Sequence, residues 1–356
     1  MNRIPINGSF ELTARCNLSC SMCYVRVDNN KIKQLGVREK TAQEWIDIAK
    51  QVFDAGTLKL LITGGEPMLR PDFCEIYEAI YKMGFIITLY TNATLINDKV
   101  MDILRKYPPH QIGVTVYGAS EETYKNVCKD ANAYNKMLEG LSKLITLPSK
   151  IEIRTTVIKD NIEEIKKIEE FANNIKTKNI KFVLNDKVFN SVRGGIADPT
   201  KVRLSPKENA LKYCNRYVEV VNKYINDESY KKQIKQITDI KKEHDKNKNN
   251  EQKRNTFYGC EAGISDYHIT WDGKLIPCAL MGKYFTNPFD EGFAKAWDRL
   301  EDVIVLPSIP NDCISCKYNK FCGTCAASRF AETGDENGIP EYLCEEAKAF
   351  YDIFNK

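Results

Sequence analysis

The sequence predicts an α/β protein built on a parallel sheet, with its functional site at the carboxyl ends of the strands. Three observations lead to this prediction. The chain of 356 residues is long enough for two domains, or for one large barrel with an appendage. Strand-like and helix-like runs alternate at intervals of about 30 residues through the first half of the chain. A group of cysteines begins directly after the first predicted strand.

The second predicted strand, residues 58–63, is a short and nearly continuous apolar run, as expected of a strand that is buried on both faces. The six predicted strands cover residues 9–14, 58–63, 85–90, 112–116, 151–157 and 181–184. The predicted helices carry apolar residues at helical spacing, as Trp45, Ile48 and Val52 do in the first. They cover residues 41–55, 72–83, 97–106, 161–174 and helical material over 120–145. Right-handed crossovers between such strands give an open doubly wound sheet or a barrel, and in both cases ligands bind at the carboxyl ends.

The composition excludes several classes of protein. With 43% hydrophobic and 28% charged residues, the chain is expected to be globular and not disordered. It has no run of 18 or more apolar residues, and its start lacks the apolar core of a signal peptide. We therefore expect a cytoplasmic protein without a membrane partner. Thirteen cysteines against three histidines favour thiolate-bound zinc or iron-sulfur clusters over disulfides.

One segment, residues 229–254, is basic, with nine Lys or Arg against four Asp or Glu. We interpret it as a solvated helix and linker. The alternative is a docking surface for an acidic peptide or partner protein. Nucleic-acid binding is not expected, because the basic charge is local and lacks interleaved aromatic residues.

The N-terminal cysteines carry the most specific signal. Cys16, Cys20 and Cys23 are separated by three and two residues, and the aromatic Tyr24 follows them. Three thiolates are one short of the four that saturate a [4Fe–4S] cluster, so one iron would be free to bind another group. A structural zinc site would need a fourth ligand from elsewhere. This motif resembles the signature of the radical S-adenosylmethionine (radical SAM) enzymes.

The resemblance extends to the ends of the following strands. The segment Gly64-Gly65-Glu66-Pro67 looks like the GGEP segment of the family, which holds the amino group of the SAM methionine. Glycines let the backbone approach a ligand closely, and Glu66 supplies an anionic acceptor. The set of cofactor contacts that the resemblance implies is Tyr24, Gly64, Gly65, Glu66, Asn92, Thr115 and Arg154.

Three of these contacts have distinct implied roles. Tyr24 would pack near the adenine, and Arg154 would pair with the SAM carboxylate through its guanidinium fork. Thr115 matches a position that is often Ser or Thr. The chain departs from the family at Tyr117, where a typical relative has Asp.

The family resemblance implies a partial (β/α)6 TIM-like barrel and a reductive reaction. The free iron of the cluster chelates SAM, and one electron cleaves SAM into methionine and a 5′-deoxyadenosyl radical. The radical then abstracts a hydrogen atom from the substrate. The cofactor carries this chemistry, while the protein positions the substrate and excludes water.

A second group of cysteines lies near the C-terminus. It consists of Cys260, Cys278, Cys313, Cys316, Cys322, Cys325 and Cys344. A zinc ribbon is the simpler interpretation of two Cys-x2-Cys pairs. However, the gap of five residues between the pairs is shorter than the roughly 15 to 20 of such ribbons. The arrangement resembles the SPASM extension of radical SAM enzymes, a small domain with two auxiliary [4Fe–4S] clusters.

The SPASM resemblance implies an interleaved set of ligands. Cys313, Cys316, Cys322 and Cys344 would hold one cluster. Cys260, Cys278 and Cys325 would hold the other, although the spacing from Cys322 to Cys325 is one residue shorter than usual. Relatives with full ligation add a cysteine shortly before the first one, but residues 251–257 contain none. Either this inner cluster has an open iron or Cys214 reaches back as its fourth ligand.

These assignments divide the chain into three segments. Residues 1–190 are predicted to form the catalytic barrel, 191–255 bridging helices with the basic linker, and 256–356 the SPASM domain. Cys74, Cys128 and Cys214 remain, and we interpret them as small core residues. The alternative is that Cys214 or Cys128 returns a hydrogen atom to a substrate radical.

The leading functional hypothesis is a maturase of ribosomally synthesised peptides, which forms a crosslink or thioether or epimerises a residue. Its cofactors would be SAM and three [4Fe–4S] clusters, reduced by a donor of the flavodoxin or ferredoxin type. The alternatives are a small-molecule dehydrogenase or epimerase, for example of an amino sugar, and a sulfatase-maturase-like protein oxidase. A non-catalytic metal-binding scaffold is a further hypothesis from another class.

Overall fold

The computed structural model describes residues 3–175, 180–224 and 257–354. Eight strands in this part of the chain form one sheet. They are β1 (Asn7–Glu11), β2 (Lys59–Thr63), β3 (Ile86–Thr91), β4 (Gln111–Thr115), β5 (Lys150–Thr156), β6 (Ile180–Asn185), β7 (Asp266–Ile269) and β8 (Leu275–Ile276). Their spatial order is β6-β5-β4-β3-β2-β1-β7-β8. Neighbouring strands pair in parallel, apart from the antiparallel pair of β7 and β8.

Helices connect the first six strands in succession. They are α1 (Asn29–Gln34), α2 (Ala42–Asp54), α3 (Phe73–Lys82), α4 (Asp98–Lys106), α5 (Glu121–Cys128), α6 (Ala133–Leu144) and α7 (Ile165–Asn174). The helices that follow are α8 (Pro206–Tyr224), α9 (Pro288–Glu291), α10 (Phe293–Val303), α11 (Asn311–Ile314), α12 (Ala326–Thr333) and α13 (Glu341–Phe354). The strand-helix alternation confirms the predicted α/β class with a mostly parallel sheet.

The core lies between the sheet and these helices. On β1, β2 and β3, alternate side chains such as Phe10, Ile62 and Leu89 are fully buried. Phe10 packs against Trp45 of α2, with ring centroids 5.1 Å apart. Because strand side chains alternate between faces, the other face of these strands carries mostly polar residues, such as Ser9, Thr63 and Thr88. That polar face is available for a ligand site.

The structure adds two features to the predicted elements. The helical stretch 120–145 divides into α5 and α6 because Lys129 adopts a left-handed conformation, with φ of 65°, and ends α5. In addition, β7 lies beside β1, so the sheet includes strands from both the first and the third predicted segments. The division at 190 and 255 stays a prediction.

A tight turn at Asp272-Gly273 joins β7 and β8. Gly273 has φ of 94°, and its N–H donates to Thr270 O at 2.8 Å. Among the described residues, no helix is both long and apolar enough to cross a membrane. The basic segment 229–254 lies outside the described residues.

Candidate cofactor site

A cavity of about 410 Å³ opens at the carboxyl ends of the parallel strands. Its volume falls in the usual range for small-molecule and cofactor sites. The predicted site residues that line it are Cys16, Cys20, Cys23, Tyr24, Gly64, Gly65, Asn92 and Thr115. The structure therefore brings the cysteine motif, the glycine pair and two strand ends to one place.

The cysteine loop follows β1 and is fixed near its start and in its middle. Near the start of the loop, Leu12 N–H donates to Thr63 O at 2.9 Å, which continues the pairing of β1 with β2. Further along, Ser19 N–H donates to Cys128 O at 3.0 Å and Ser21 N–H donates to Val127 O at 2.9 Å. The last turn of α5 thus holds the middle of the loop against the sheet.

Gly64 and Gly65 bring the loop after β2 against the cysteine loop. Gly65 N–H donates to Thr13 O at 2.7 Å. A Cβ atom on Gly64 would lie 2.6 Å from Thr13 O, and one on Gly65 would overlap Arg15 O still more closely. The obstacles are backbone atoms, which cannot move aside as a flexible side chain would. Glycine is therefore required here for contact between two loops that both line the cavity.

Glu66 lies beneath the cavity and is fully buried. Its carboxylate accepts hydrogen bonds from Asn92 N–H at 2.8 Å, Thr91 Oγ1 at 2.9 Å and Met68 N–H at 3.2 Å. Burial raises the pKa of Glu66 to about 7 despite these bonds. The side chain is not among those that line the cavity. Its visible role is to tie the loop after β2 to the end of β3.

Asn92 connects that buried carboxylate to the first cysteine. Its side-chain amide donates to Asn17 Oδ1 at 3.1 Å and lies 3.7 Å from Cys16 Sγ. Its Oδ1 accepts from Thr94 N–H at 2.9 Å, so the amide is oriented from both sides. The amide can thus act as a hydrogen-bond donor beside Cys16.

Cys20 has a second thiol as a neighbour. A side-chain hydrogen bond with Cys128 lowers the pKa of Cys20. The pKa of Cys128 is raised, first by burial and then by this contact. Tyr117 lies in the same contact, and burial raises its pKa well above the ordinary value.

Arg154 lies on the same strand as the lining residue Thr156 but does not itself line the cavity. Its Nη1 donates to Glu152 at 2.7 Å, and the guanidinium lies 4.4 Å from the centre of the Tyr90 ring. The role predicted for Arg154 at the SAM carboxylate stays a prediction.

Several lining residues were not predicted from the sequence as cofactor contacts, and Lys187 and Tyr117 are two of them. Lys187 follows β6, and among the described residues that line the cavity it is the only Lys, Arg, Asp or Glu. It is held there by an ion pair with Glu346 of α13. Tyr117 also lines the cavity, at the position that the sequence marked as a departure from the family. No local pattern marks Lys187, because its partner lies far away in the chain.

A second cavity, of about 330 Å³, lies in the C-terminal part of the chain. Four cysteines line it: Cys313, Cys316, Cys322 and Cys344. Burial raises the pKa of the Cys344 thiol, and the other three cysteines add to this rise. The structure therefore gathers the four residues that were assigned together from the sequence.

Cys278 belongs to a different neighbourhood. Burial raises its pKa, and Cys325 and Cys260 add to the rise. Its neighbours in sequence, Ala279 and Leu280, line the first cavity. The thiols of Cys260, Cys278 and Cys325 thus lie near one another and close to the first cavity.

The three remaining cysteines differ in their surroundings. Cys128 contacts Cys20, as described above. Cys214 is buried on α8, and burial is the cause that raises its pKa. Burial also raises the pKa of Cys74, while the charge of Lys99 opposes this. Cys74, Cys128 and Cys214 are not among the lining residues of the first cavity. The hydrogen-donor role of Cys214 or Cys128 stays a prediction.

The chemistry of these thiols fits iron-sulfur clusters. All thirteen cysteines are free thiols. In the described part of the chain, no three His, Cys, Asp or Glu side chains converge on a position for a single metal ion. A [4Fe–4S] cluster, in contrast, takes one cysteine thiolate for each iron. The cysteines that line the first cavity offer three thiolates, and those that line the second offer four.

Comparison with known proteins agrees with this arrangement. Residues 10–172 match the Radical SAM superfamily. An AdoMet-dependent heme synthase of Methanosarcina barkeri is 27% identical over 99% of this chain and 98% of its own length. The subtilosin biosynthesis protein AlbA of Bacillus subtilis is 23% identical over 90% of this chain and 67% of its own length.

Solved structures share the fold. Streptococcus suis SuiB bound to S-adenosylmethionine superposes with a TM-score of 0.67 and 18% identity, over 96% of this chain and 77% of that one. SuiB has also been solved with its precursor peptide SuiA. At this level of identity the likeness concerns the fold.

Proposed function

The protein is an enzyme with a radical SAM domain at residues 10–172, and from this premise we propose that it abstracts a hydrogen atom from a peptide substrate. The observation that carries the proposal is the cavity at the strand ends, where Cys16, Cys20 and Cys23 meet the Gly64-Gly65 loop. A [4Fe–4S] cluster held by these three cysteines would supply the electron for the reductive cleavage of SAM. The protein would act as a maturase that forms a crosslink or thioether or epimerises a residue.

The residues around the cavity have separable roles in this proposal. Cys16, Cys20 and Cys23 would hold the cluster. Gly64 and Gly65 would offer backbone groups to the amino group of SAM, and Glu66 would support them from below. Among the lining residues, apolar side chains exclude water from the reacting groups: Leu18, Met22, Val25, Val188, Phe189 and Leu280.

Lys187 is the residue that we propose for the carboxylate of SAM. Lys187 is the one Lys or Arg among the described lining residues, and its ammonium group forms an ion pair with Glu346. Arg154 contacts Glu152 and the Tyr90 ring and does not line the cavity. Tyr24 and Thr115 line the same cavity and would contact the adenosyl part of SAM.

The C-terminal cysteines would hold two auxiliary clusters. Cys313, Cys316, Cys322 and Cys344 provide four thiolates around one cavity, which matches the ligand number of a complete [4Fe–4S] cluster. Cys260, Cys278 and Cys325 would hold the second cluster with an open iron. We expect a flavodoxin or ferredoxin to supply the electrons.

A peptide substrate is supported by two of the similar proteins. AlbA is a bacteriocin biosynthesis protein, and SuiB binds the precursor peptide SuiA. A second candidate is the conversion of a tetrapyrrole precursor to haem. It is favoured by the heme synthase of M. barkeri, which matches this chain over nearly the whole length of both proteins.

Anaerobic turnover distinguishes these functions. The reconstituted protein is given SAM and dithionite, and 5′-deoxyadenosine is measured by chromatography. Its formation is expected, whereas its absence would sink the radical SAM proposal. Candidate peptides and a tetrapyrrole precursor are then supplied separately. A peptide that loses two hydrogens, or takes up solvent deuterium, supports the maturase, while haem formation supports the second candidate.

A further inference from the structure

A further cavity, of about 280 Å³, is lined by the turn between β7 and β8, and we call it the Trp271 cavity. Its volume is slightly below the roughly 300 Å³ at which small-molecule sites begin. It therefore suits one residue of a longer ligand better than a whole cofactor. The apolar side chains that line it are Leu35, Val37, Val192, Trp271 and Ile276.

The Trp271 cavity and the first cavity are built from the same two loops. In the loop after β6, residues 188–189 line the first cavity and residues 192–194 line the Trp271 cavity. In the turn after β8, Leu280 lines the first cavity and Gly282 lines the Trp271 cavity. The two cavities are thus neighbours, and a chain molecule held in one of them begins close to the other.

Arg193 lies at the boundary between the two cavities. It lines the Trp271 cavity, while its guanidinium lies 5.5 Å from the centre of the ring of Tyr24, which lines the first cavity. A Cβ atom on Gly282 would lie 3.1 Å from Arg193 Cγ, so the arginine side chain is closely packed. Only 8% of this side chain is exposed.

One edge of the Arg193 guanidinium has no partner. Its Nη1 donates to Oε2 of Glu11, the last residue of β1, at 2.7 Å. In the described part of the chain, its Nε and Nη2 are buried without a hydrogen-bond partner. These two nitrogens form one edge of the guanidinium, which can donate two parallel hydrogen bonds. Because buried donors are normally paired, the free edge indicates an acceptor that a ligand supplies.

The charges around this edge are already balanced. Although burial opposes the charge of Glu11, Arg193 and His268 hold its pKa at about 2, so a carboxylate neutralises Arg193. Lys274 is the other Lys or Arg among the described lining residues, and it pairs with Asp272 at 2.8 Å. A ligand carboxylate would add a negative charge without a counterion, which is costly in a partly buried site. A neutral carbonyl oxygen is therefore the better acceptor.

We propose that the Trp271 cavity is a subsite for one apolar residue of the peptide substrate. The side chain of this residue packs among the apolar walls, and a carbonyl oxygen of the peptide accepts hydrogen bonds from Nε and Nη2 of Arg193. A neighbouring residue of the same peptide enters the first cavity. The inference rests on the proposed function and adds the place where the peptide is held.

The test uses N-acetyl-leucine N-methylamide as the probe, because it combines an apolar side chain with neutral carbonyl groups. The reconstituted full-length protein is crystallised with SAM and the probe. We expect the probe in the Trp271 cavity, with a carbonyl oxygen roughly 3 Å from Nε or Nη2 of Arg193. Its Kd is measured by ligand-observed NMR at saturating SAM. N-acetyl-leucine, which carries a carboxylate, is expected to bind more weakly.

Three variants change the subsite in different ways. R193K keeps a cation beside Glu11 but lacks the free edge, so the Kd of the probe should rise about tenfold. L35A shortens a wall residue whose side chain is 46% exposed, which leaves the fold intact. It should raise the Kd by about threefold. V192W fills the cavity and should abolish binding.

R203K is the matched control. Arg203 donates from both Nη atoms to Glu332 and is not among the lining residues of either cavity. The exchange of this arginine for lysine is therefore expected to leave the Kd of the probe unchanged.

Each outcome decides a separate point. Absence of the probe from the Trp271 cavity, or an unchanged Kd in both L35A and V192W, would overturn the inference even if R193K does not fold. Tighter binding of N-acetyl-leucine would overturn the assignment to a neutral group. Formation of 5′-deoxyadenosine is measured on the same preparation with SAM and dithionite. If it forms while the cavity stays empty, the subsite alone is wrong; if it does not form, the radical SAM proposal is wrong.

Discussion

The carboxylate of Glu66 accepts a hydrogen bond of 2.8 Å from the backbone N–H of Asn92, which ties the loop after β2 to the end of β3. The side-chain amide of Asn92 lies 3.7 Å from Cys16 Sγ. A buried acidic group thus reaches the first cysteine through one intervening residue. Glu66 positions the site from below, and its charge state affects the stability of this part of the fold.

The first prediction concerns E66Q and pH. The pKa of Glu66 is raised to about 7 in the folded protein, against 4.5 ordinarily. Its contribution to stability is therefore fully present below pH 4.5 and is lost as the pH rises through 7. The loss amounts to roughly 3 kcal/mol and is absent from E66Q. Both proteins are reconstituted without SAM, and their Tm is measured by calorimetry from about pH 5 to 8. As the pH rises, the Tm of E66Q should increase relative to the Tm of the unchanged protein. Parallel Tm profiles would contradict the prediction.

The second prediction concerns G64A and G65A. Each added methyl group would overlap a backbone carbonyl of the cysteine loop, at Thr13 or Arg15. We expect the two loops to separate and the protein to lose about four irons per chain on reconstitution, as measured by iron analysis. The matched control is G323A, at a glycine of the C-terminal cysteine group that has open space around its Cβ position. Full iron content in G65A would show that the loops tolerate the displacement.

The sequence predicted β1 to β6 to within one or two residues at most ends, because most of these strands carry buried apolar residues at alternate positions. The position of β7 beside β1 had no local signal, since Ser9 pairs with His268 far along the chain. The division of the helical stretch after β4 depends on the left-handed backbone of Lys129. Neither a pairing between distant strands nor the backbone angle of a single residue changes the hydrophobic periodicity of the sequence, so neither could be predicted from it.

The candidate site shows the same difference between local and distant signals. Cysteine spacing and the glycine pair are local patterns, and the structure brings both groups of residues to one cavity. The ion pair of Lys187 with Glu346 joins the loop after β6 to α13, so the sequence alone could not reveal it. The sequence showed that Arg154 is a polar residue near the end of a predicted strand. It did not show that Arg154 pairs with Glu152.

The third prediction compares K187M with R154M in the binding of SAM. A hydrogen bond to a charged group contributes about 1.5 to 3 kcal/mol, so K187M should raise the Kd of SAM roughly 10- to 100-fold. R154M should change it by less than about threefold, because Arg154 does not line the cavity. Equilibrium dialysis of the reconstituted proteins measures both. The control variant E346Q keeps the ammonium group of Lys187 but removes the charge of its ion-pair partner. It therefore shows how much of the change in Kd comes from breaking this ion pair. If R154M raised the Kd of SAM more than K187M does, Arg154 and not Lys187 would be the residue that contacts the SAM carboxylate.

The last prediction concerns the fourth ligand of the inner auxiliary cluster. Cys278 is influenced by Cys325 and Cys260, whereas the rise in the pKa of Cys214 comes from burial on α8. We therefore expect C214A to keep the iron content of the unchanged protein, about twelve per chain if three clusters are present. The matched variant C325A should lose about four irons.

C214A removes a small buried side chain, so its expected cost is roughly 1 kcal/mol of stability, seen as a modest fall in Tm. Iron content and Tm together separate the two roles of Cys214. A lower Tm with full iron content identifies a packing residue and leaves one iron of the inner cluster open to a substrate group. A loss of about four irons with unchanged spectra of the other clusters would make Cys214 the fourth ligand and close that site.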